Sequence, residues 1–395
     1  MNNNTTRDNA ASVRTPFLLI AWTMPPTATG MSVVSRNLAS GFDPDEVVII
    51  GQVLYESRID LRGAERVQRI RIPDYPIHWR LKPYLEPFYI IPLTVAVGLR
   101  AIRQHRLKSV VASFPNSTFL VAGFLISLLA RVPFFPYFHN LYVETRQGMI
   151  SRAMALVIQK VIFWKAKRVL SMSKGMSEYL AKSYHIDSTP LLHPIILPVP
   201  QFSVVKESTK PYRIAFTGNI NNTVVDVIRR VIDAIGEDPD YRIVLHTPVP
   251  IDRAKSLIGK WTDIIEIKDV PNQEDLVTSL RSCDVLILAL ADQHNTILND
   301  DFRTQFPTRT LEMLISERPI LVIAPEDYYI ARFFRGNGAG KVLSNMSTES
   351  IRKAIVNLCT NERERNVCVK NALRIAQEYR IENVTRVLRS ELLVS

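Results

Sequence analysis

Short apolar runs alternate with amphipathic, helix-length segments along most of the chain, and this alternation restricts the fold more than any other feature. Runs such as PFLLIAW, SVVASF and VPFFPYF each lead into a segment with helical periodicity. Strands that alternate with helices of this length form right-handed β–α–β units, which build parallel sheets. The sequence therefore predicts an α/β protein with doubly wound parallel sheets.

The alternation is interrupted once, at HPIILPVPQFSVVKESTKPY, which contains four prolines and a polar run. Such a segment is typical of an interdomain linker. A second alternating series begins at YRIAFTGNI, and the C-terminal tail shows only helical patterns. We therefore predict two Rossmann-like domains that face each other across a cleft, where ligands bind beyond the carboxyl ends of the strands. The predicted boundaries are a disordered lead-in 1–13, an N-terminal domain 14–195, a linker 196–211, a C-terminal domain 212–375 and a helical region 376–395.

Composition and charge narrow the class of partner. The 395 residues are 47% hydrophobic and 22% charged, with a formal net charge of +11, which favours a globular protein with an anionic partner. A phosphorylated substrate and an anionic membrane both fit, whereas no helix-turn-helix or RNA-binding motif supports nucleic acid. The three scattered cysteines indicate a reducing cytoplasm, and the polar N-terminus lacks the apolar core of a signal peptide.

Three apolar stretches are candidates for membrane contact. FYIIPLTVAVGL (88–99) and FLVAGFLISLLA (119–130) are short for membrane spans, so we expect buried helices there. The segment 149–175 is an apolar helix whose basic residues include Arg152, Lys160, Lys165, Lys167 and Arg168. Docking on an anionic membrane is one reading, and a helix packed on the sheet with a basic outer edge is the favoured alternative.

The segment FPTRTLEMLISERPILVIAPED joins a polar, charged helix start to a buried strand. Proline suits the first helical turn because its missing N–H would be unpaired there, so Pro307 predicts that a helix begins at this point. The amides of Thr308, Arg309 and Thr310 would then face outward with the positive end of the helix dipole. This arrangement is suited to binding a phosphate group.

Glu312 lies one turn further along the predicted helix. Its carboxylate only accepts hydrogen bonds, and the two hydroxyls of a ribose would supply the donors. The alternative is an ordinary solvated ion pair between Arg309 and Glu312, and the residue spacing by itself favours that alternative.

This segment resembles the donor-binding segment of GT-B glycosyltransferases of the large family-4 type. The resemblance implies that Glu312 binds the ribose of a sugar nucleotide and that the helix start before it holds the diphosphate. PFLLIAWTMPPTATGMSVVSRNLASGF is similar to the first strand, glycine loop and first helix of that family, and YRIAFTGNI to the start of its second domain. The C-terminal helix, 376–395, would cross back onto the first domain.

The resemblance also implies roles for residues of the first domain. Gly30, in the loop after the first strand, would allow close approach of a ligand, although Thr29 stands where the family often has a second glycine. His139, just after a strand, would contact the donor sugar, and a structural histidine is the alternative. Glu144 in the same loop is a candidate for holding the acceptor, against the simpler reading of a surface carboxylate.

In the second domain, Gly218 and Asn219 follow a strand where the backbone could approach a phosphate. Many family members carry an arginine and a lysine nearby, but none occurs from Thr217 to Ile228, so Arg303 and Arg309 are the candidates to replace them.

The sequence also departs from the family pattern at a residue that contacts the donor sugar. Thr304 occupies the position of a further glutamate that contacts this sugar in many family members, and Asp300 and Asp301 are the nearby carboxylates. The resemblance also implies that the loop with Val270 and Pro271 borders the nucleobase.

The function implied is transfer of a sugar from a nucleoside diphosphate sugar to a glycan or lipid-linked acceptor. The resemblance implies that the reaction proceeds with retention and needs no cofactor and no metal. No DxD-like metal motif stands out at a strand end. The expected setting is polysaccharide or glycoconjugate synthesis in the cytoplasm, at the inner face of the membrane. The alternative is a non-catalytic, glycosyltransferase-like subunit that binds a glycan or stabilises a partner, and a sugar-nucleotide epimerase is a more distant one.

Overall fold

The fold is that of a computed structural model, and two parallel sheets dominate it. The model describes residues 14–27, 29–54, 68–73, 82–205, 208–220, 222–269, 272–290 and 299–393. Helices pack on both faces of each sheet, as the alternating sequence pattern predicts.

The first sheet is built from the N-terminal half of the chain. Its described strands are β1 (Phe17–Thr23), β2 (Val47–Gln52), β3 (Gln68–Arg71), β4 (Ser109–Phe114), β5 (Phe134–Phe138), β6 (Val169–Ser171) and β7 (Ser188–Pro190). They lie in the order β3-β2-β1-β4-β5-β6-β7, and neighbouring strands are parallel. The helices between them are α1 (Gly30–Ala39), α2 (Lys82–His105), α3 (Ser117–Ala130), α4 (Met149–Lys165) and α5 (Lys174–Tyr184).

The second sheet follows the predicted linker. Its described strands are β8 (Tyr212–Thr217), β9 (Tyr241–His246), β10 (Ile265–Lys268), β11 (Val285–Ala289), β12 (Ile320–Ile323) and β13 (Lys341–Leu343), in the parallel order β10-β9-β8-β11-β12-β13. Its helices are α6 (Asn222–Ile235), α7 (Ile251–Ile258), α8 (Gln273–Arg281), α9 (Asn299–Thr304), α10 (Thr310–Leu314) and α11 (Tyr329–Asn337).

The strands form where the sequence is apolar on both faces. In β1, Leu18 and Ile20 are buried in the cluster that includes α3, whereas Phe17 and Leu19 are buried in the cluster that includes α1. A strand buried on both faces gains burial from every residue, which explains why these runs are continuously apolar. In each sheet the strand order reverses beside the first strand, at β1 and at β8. These are the points where ligands of doubly wound sheets bind.

The tail forms α12 (Thr348–Thr360), α13 (Glu362–Ala376) and α14 (Ile381–Leu393). Val384 and Leu388 of α14 are buried in the same cluster as Phe17 of the first sheet. Arg389 donates two hydrogen bonds to the carboxylate of Glu46, at 2.9 and 3.0 Å. The last described helix therefore packs against the first domain, while the domain boundaries drawn from the sequence stay predictions.

The structure differs from the sequence predictions at short elements. The strands β7 and β13 have three residues each and α7 has eight, too few for a clear periodic signal. The helix predicted to begin at Pro307 begins at Thr310, because residues 307–310 first form a turn in which the amide of Thr310 donates to the carbonyl of Pro307. Pro307 is thus not the first residue of the helix.

The helix α2 is longer and more exposed than the sequence predicts. Among the described residues, Leu85–His105 is the one helix long and apolar enough to cross a membrane, judged by length and composition. Ile90 and Ala101 are fully buried, and Gly98 lies against Ile126 of α3, so this face packs on the domain. The outer face is exposed, with Phe88 at 80%. The prediction of a buried helix is therefore correct for one face and wrong for the other.

Candidate functional site

Glu312 is the most distinctive carboxylate at the cleft. Its residue is 4% exposed, and its Oε1 accepts a hydrogen bond from Nε2 of Gln273, on α8, at 2.6 Å. Its Oε2 is buried and has no hydrogen-bond partner among the described residues. The guanidinium of Arg309 is 4.0 Å from Oε1. The alternative of an ordinary solvated ion pair is therefore wrong, because the carboxylate is removed from solvent and the pair is at the edge of contact.

Gln273 connects Glu312 to the first domain. While its amide nitrogen donates to Glu312, its Oε1 accepts from Nη2 of Arg36, on α1, at 2.9 Å. All three side chains are buried. The orientation of the carboxylate is thus set by a hydrogen-bond chain that crosses from one domain to the other.

The turn before α10 brings the two domains together. Thr308 lies 4.0 Å from the position that a Cβ would occupy on Gly30, and its carbonyl accepts from Nε2 of His193 at 3.3 Å. Arg309 lies over Gly218, with its Cγ at 3.9 Å from the position of an added Cβ. The structure therefore groups Gly30, Thr308, Arg309 and Gly218 at one place.

Only some of the backbone amides that are predicted to bind phosphate are free of other hydrogen bonds in the described chain. The amide of Thr310 donates within the turn and that of Gly218 donates to the carbonyl of His246 at 2.9 Å. The amides of Thr308 and Arg309 have no hydrogen-bond partner within the described ranges. Gly218 has φ of +115°, which a side chain rarely adopts, so glycine is required there. Asn219, which follows it, is exposed.

His139 lies at the carboxyl end of β5, as predicted. Its ring lies 4.2 Å from that of Tyr137, centroid to centroid and tilted by 56°, and its Nε2 is buried without a partner among the described residues. Burial lowers the pKa of His139 to about 3, and the charge of the nearby His193 adds to this effect. The imidazole is therefore neutral near pH 7 and has a ring nitrogen available to a ligand.

His193 was not singled out by the sequence. Burial lowers its pKa, while the charge of Glu312 and the carbonyl of Thr308 oppose this shift. Its position before the predicted linker carries no recognisable motif, so only the fold reveals it. Gln273 and Arg36 were missed for the same reason.

A pocket adjoins this group of residues. It is lined by His193, Gln273, Leu311, Glu312, Ile315 and the segment 194–197. A second pocket lies at the ends of β8 and β9, beside Gly218 and Asn219. Both pockets thus lie at residues singled out as donor-binding candidates.

Asp300 and Asp301, the carboxylates near Thr304 that are candidates to contact the donor sugar, bond to other residues. Asp301 is buried and accepts from the amide of Leu141 at 2.7 Å and from Asn140 at 2.9 Å. Burial raises its pKa. The carbonyl of Thr304 accepts from Oγ of Ser173 at 2.5 Å. These contacts attach α9 to the first domain.

Arg303 also belongs to α9. It forms ion pairs with Asp327 at 2.9 Å and Asp300 at 3.4 Å. A diphosphate would have to compete with both carboxylates for this side chain. Among the described residues, the one carboxylate paired with Arg309 is the more distant Glu312, at 4.0 Å.

Glu144 is buried rather than a surface carboxylate, so the simpler reading of this residue is wrong. Its Oε1 accepts from the hydroxyls of Tyr179 at 3.0 Å and Tyr184 at 2.5 Å, and its Oε2 has no partner among the described residues. The two tyrosines come from α5, which a local sequence pattern cannot indicate.

The structure says less about two further predictions, which concern the nucleobase loop and the metal. Val270 and Pro271 lie outside the described residues. Within the described part of the chain, no group of three His, Cys, Asp or Glu side chains is arranged to hold a metal ion.

No protein-family model and no curated protein matches this sequence. Solved structures do match its fold along nearly its whole length. HepE from Anabaena, in complex with UDP and glucose, is 13% identical, with a TM-score of 0.69 over 96% of this chain and 100% of that one. Sucrose-phosphate synthase from Thermosynechococcus elongatus is 14% identical, with a TM-score of 0.68 over 97% and 100%.

A putative UDP-N-acetylglucosamine 2-epimerase from Listeria monocytogenes is 11% identical, with a TM-score of 0.58 over 97% of this chain and 98% of that one. At these identities the likeness concerns the fold. The chain therefore has the GT-B fold, and the predicted fold class is confirmed.

Proposed function

We propose that the protein is a glycosyltransferase that moves a sugar from a nucleoside diphosphate sugar to a glycan or lipid-linked acceptor. The observation that carries this proposal is Oε2 of Glu312, a buried acceptor without a partner at the wall of a pocket in the cleft. A buried carboxylate oxygen is costly to leave unpaired, and the hydroxyls of a ribose would satisfy it. The GT-B fold shared with HepE, whose structure contains UDP and glucose, supports the same proposal.

The other site residues suit the reaction. The amides of Thr308 and Arg309, with the Arg309 guanidinium, would stabilise the charge that develops on the departing diphosphate. Neutral His139 would hydrogen-bond a sugar hydroxyl through Nε2. The hydrogen bonds that link Arg36, Gln273 and Glu312 cross the cleft. Closure of the domains would therefore orient the Glu312 carboxylate toward the ribose hydroxyls and exclude water.

The finer parts of the proposal come from the resemblance of the segment around Glu312 to family-4 enzymes. They are retention of anomeric configuration, no requirement for metal or cofactor, and a role in polysaccharide or glycoconjugate synthesis. Action at the cytoplasmic face of the membrane, through peripheral contact, fits the net charge of +11.

The first experiment is thermal unfolding with UDP, GDP, CDP and ADP and their common sugar conjugates. A ligand at about 100 times its dissociation constant adds roughly 2.7 kcal/mol to stability. Since the protein has two domains, the midpoint shift is used as a ranking. One nucleotide should stand out, and its effect should be absent in Glu312→Ala. No response to any nucleotide would refute the proposal and support the non-catalytic subunit.

Product analysis then separates the enzyme classes. Incubation with the selected sugar nucleotide should slowly release the nucleoside diphosphate and free sugar even without an acceptor. Conversion into a sugar nucleotide with an altered sugar would instead identify an epimerase. Tight glycan binding with neither product would identify a binding subunit.

A further inference from the structure

The helix α4 exposes an apolar face that no described part of the chain covers. Five side chains at spacings of four, three, four and three residues form one stripe along the helix: Ile150, Met154, Val157, Val161 and Trp164. They are between 43% and 82% exposed. On the opposite side, Ala155, Gln159 and Ile162 are buried against the domain. The helix therefore packs on the sheet with a narrow face and leaves its most apolar face in water.

A continuous stripe of this kind marks an interaction surface. Single exposed apolar residues are common in soluble proteins, but packing within the described part of the chain does not explain five in register along seventeen residues. A basic outer edge is the favoured prediction for this helix from the sequence, whereas in the structure the outer face carries the apolar stripe.

The charge of the residues near the stripe indicates which kind of partner covers it. Residues 145–177 contain seven basic residues and no acidic one. Arg152 and Lys160 are exposed on α4 itself, and Lys165 and Lys167 lie at its C-terminal end. A second copy of the chain docked on this face would bring two sets of like charges together without a compensating carboxylate on the helix. A bilayer with anionic lipids accommodates both the apolar stripe and the positive charge.

We propose that α4 lies in the interface of a bilayer that contains anionic phospholipids, with its apolar stripe inserted among the acyl chains near the headgroups. The helix begins at Met149, shortly after the loop that carries His139 and Glu144. Docking through α4 would therefore hold the candidate site close to the membrane surface. This part of the inference rests on the proposed function and favours the lipid-linked class of acceptor.

Flotation of the full chain with vesicles tests the proposal. Vesicles of phosphatidylcholine alone are compared with vesicles of phosphatidylcholine and phosphatidylglycerol at about a 7:3 ratio. One variant removes apolar contacts: Val157→Ser, Val161→Ser and Trp164→Ser. A second removes charge: Arg152→Gln, Lys160→Gln and Lys165→Gln.

Matched controls carry comparable changes at exposed positions of the linker and the second domain. The apolar control is Val204→Ser, Ile251→Ser and Val367→Ser, and the charge control is Arg253→Gln, Arg363→Gln and Lys370→Gln. The charge variant and its control each lower the net charge of +11 by three. A circular dichroism melt of each variant establishes that it is folded.

The chain should float with the anionic vesicles and not with the neutral ones, and less so as salt is added. Both α4 variants should lower the partition coefficient, by about 100-fold for the three charges, while the controls stay near wild type. Equal loss in the controls, or no binding to anionic vesicles, would overturn the proposal. A concentration-dependent dimer in ultracentrifugation that the apolar α4 variant abolishes would instead assign the stripe to a second copy.

Nucleotide binding is measured on the same variants by calorimetry. Because α4 contributes no residue to the cleft pockets, both α4 variants should bind the selected nucleotide as the wild type does. Loss of vesicle binding with intact nucleotide binding would show that α4 docks on the membrane independently of the cleft. If the wild type binds no nucleotide, the proposed function is wrong, and the docking proposal is judged by the vesicles alone.

Discussion

At the scale of single residues, the candidate site is defined by polar atoms that are buried without a partner in the described chain. Oε2 of Glu312 and Nε2 of His139 come from different domains and both lie at the cleft. Burying a polar atom without a hydrogen bond costs free energy, so each is a candidate contact for a ligand. The first two predictions concern these atoms.

Glu312→Ala should weaken binding of the selected nucleotide by roughly 10- to 100-fold, since hydrogen bonds to a charged group contribute about 1.5–3 kcal/mol. Isothermal titration calorimetry measures the change. Glu312→Gln, which keeps the shape, should also weaken binding because an amide replaces one acceptor with a donor. The exposed Glu349→Ala is the control. Wild-type affinity in both Glu312 variants would remove this residue from the site.

His139→Ala should slow release of the nucleoside diphosphate more than it weakens nucleotide binding, because its proposed partner is the reacting sugar. Turnover and affinity are measured on the same preparation, with His105→Ala as the control. Wild-type turnover in His139→Ala would make this histidine a structural residue.

At the scale of elements, the short helix α9 connects the two domains. Asp301 accepts hydrogen bonds from the loop after β5, and Ser173, just before α5, donates to the carbonyl of Thr304. The loop it contacts carries His139 and Glu144. The element that the sequence assigned to donor binding therefore also positions the first domain's part of the cleft.

Asp301→Ala should loosen this connection, because Asn140 and the amide of Leu141 would lose their acceptor. Hydrogen exchange of residues 140–146 should become faster, while exchange in the strands stays unchanged. Asp263→Ala, at an exposed position, is the control. Unchanged exchange in the loop would show that α9 does not hold it.

At the scale of the whole molecule, buried histidines link stability to pH. Burial lowers the pKa of His139 to about 3 and that of His246 to about 4, and it also lowers the pKa of His193. In the unfolded chain these groups take up protons near pH 6.5. Between about pH 4 and 6.5 the unfolded state binds more protons, so their contribution to stability is lost as the pH falls through this range.

His246→Gln should reduce that dependence. His246 is hydrogen-bonded to Ser279 and the carbonyl of Phe216 inside the second domain, so its removal changes one titration without touching the first domain. Urea midpoints at about pH 7.5 and 5 should differ less in the variant than in the wild type. The raised pKa of the buried Asp301 makes the folded state more stable as the pH falls, and it does so equally in the wild type and in His246→Gln. An unchanged difference would contradict the prediction.

Much of the architecture was predictable because it depends on local periodicity. The run SVVASF is β4 residue for residue, and KGMSEYLAKSY is α5, since apolar runs and helical spacing are properties of neighbouring residues. The strands β7 and β13 and the turn before Thr310 were not predictable, because they depend on pairing with a neighbour or on one backbone hydrogen bond.

The sequence by itself also singled out Glu312, Arg309 and His139, through side-chain chemistry and a family resemblance. Only the tertiary structure decided what surrounds them. Arg36 is 237 residues from the glutamine it contacts, and His193 is 115 residues from Thr308. Such partners meet because two sheets bring their carboxyl ends to one cleft, so their contacts arise from packing and leave no trace in a local pattern.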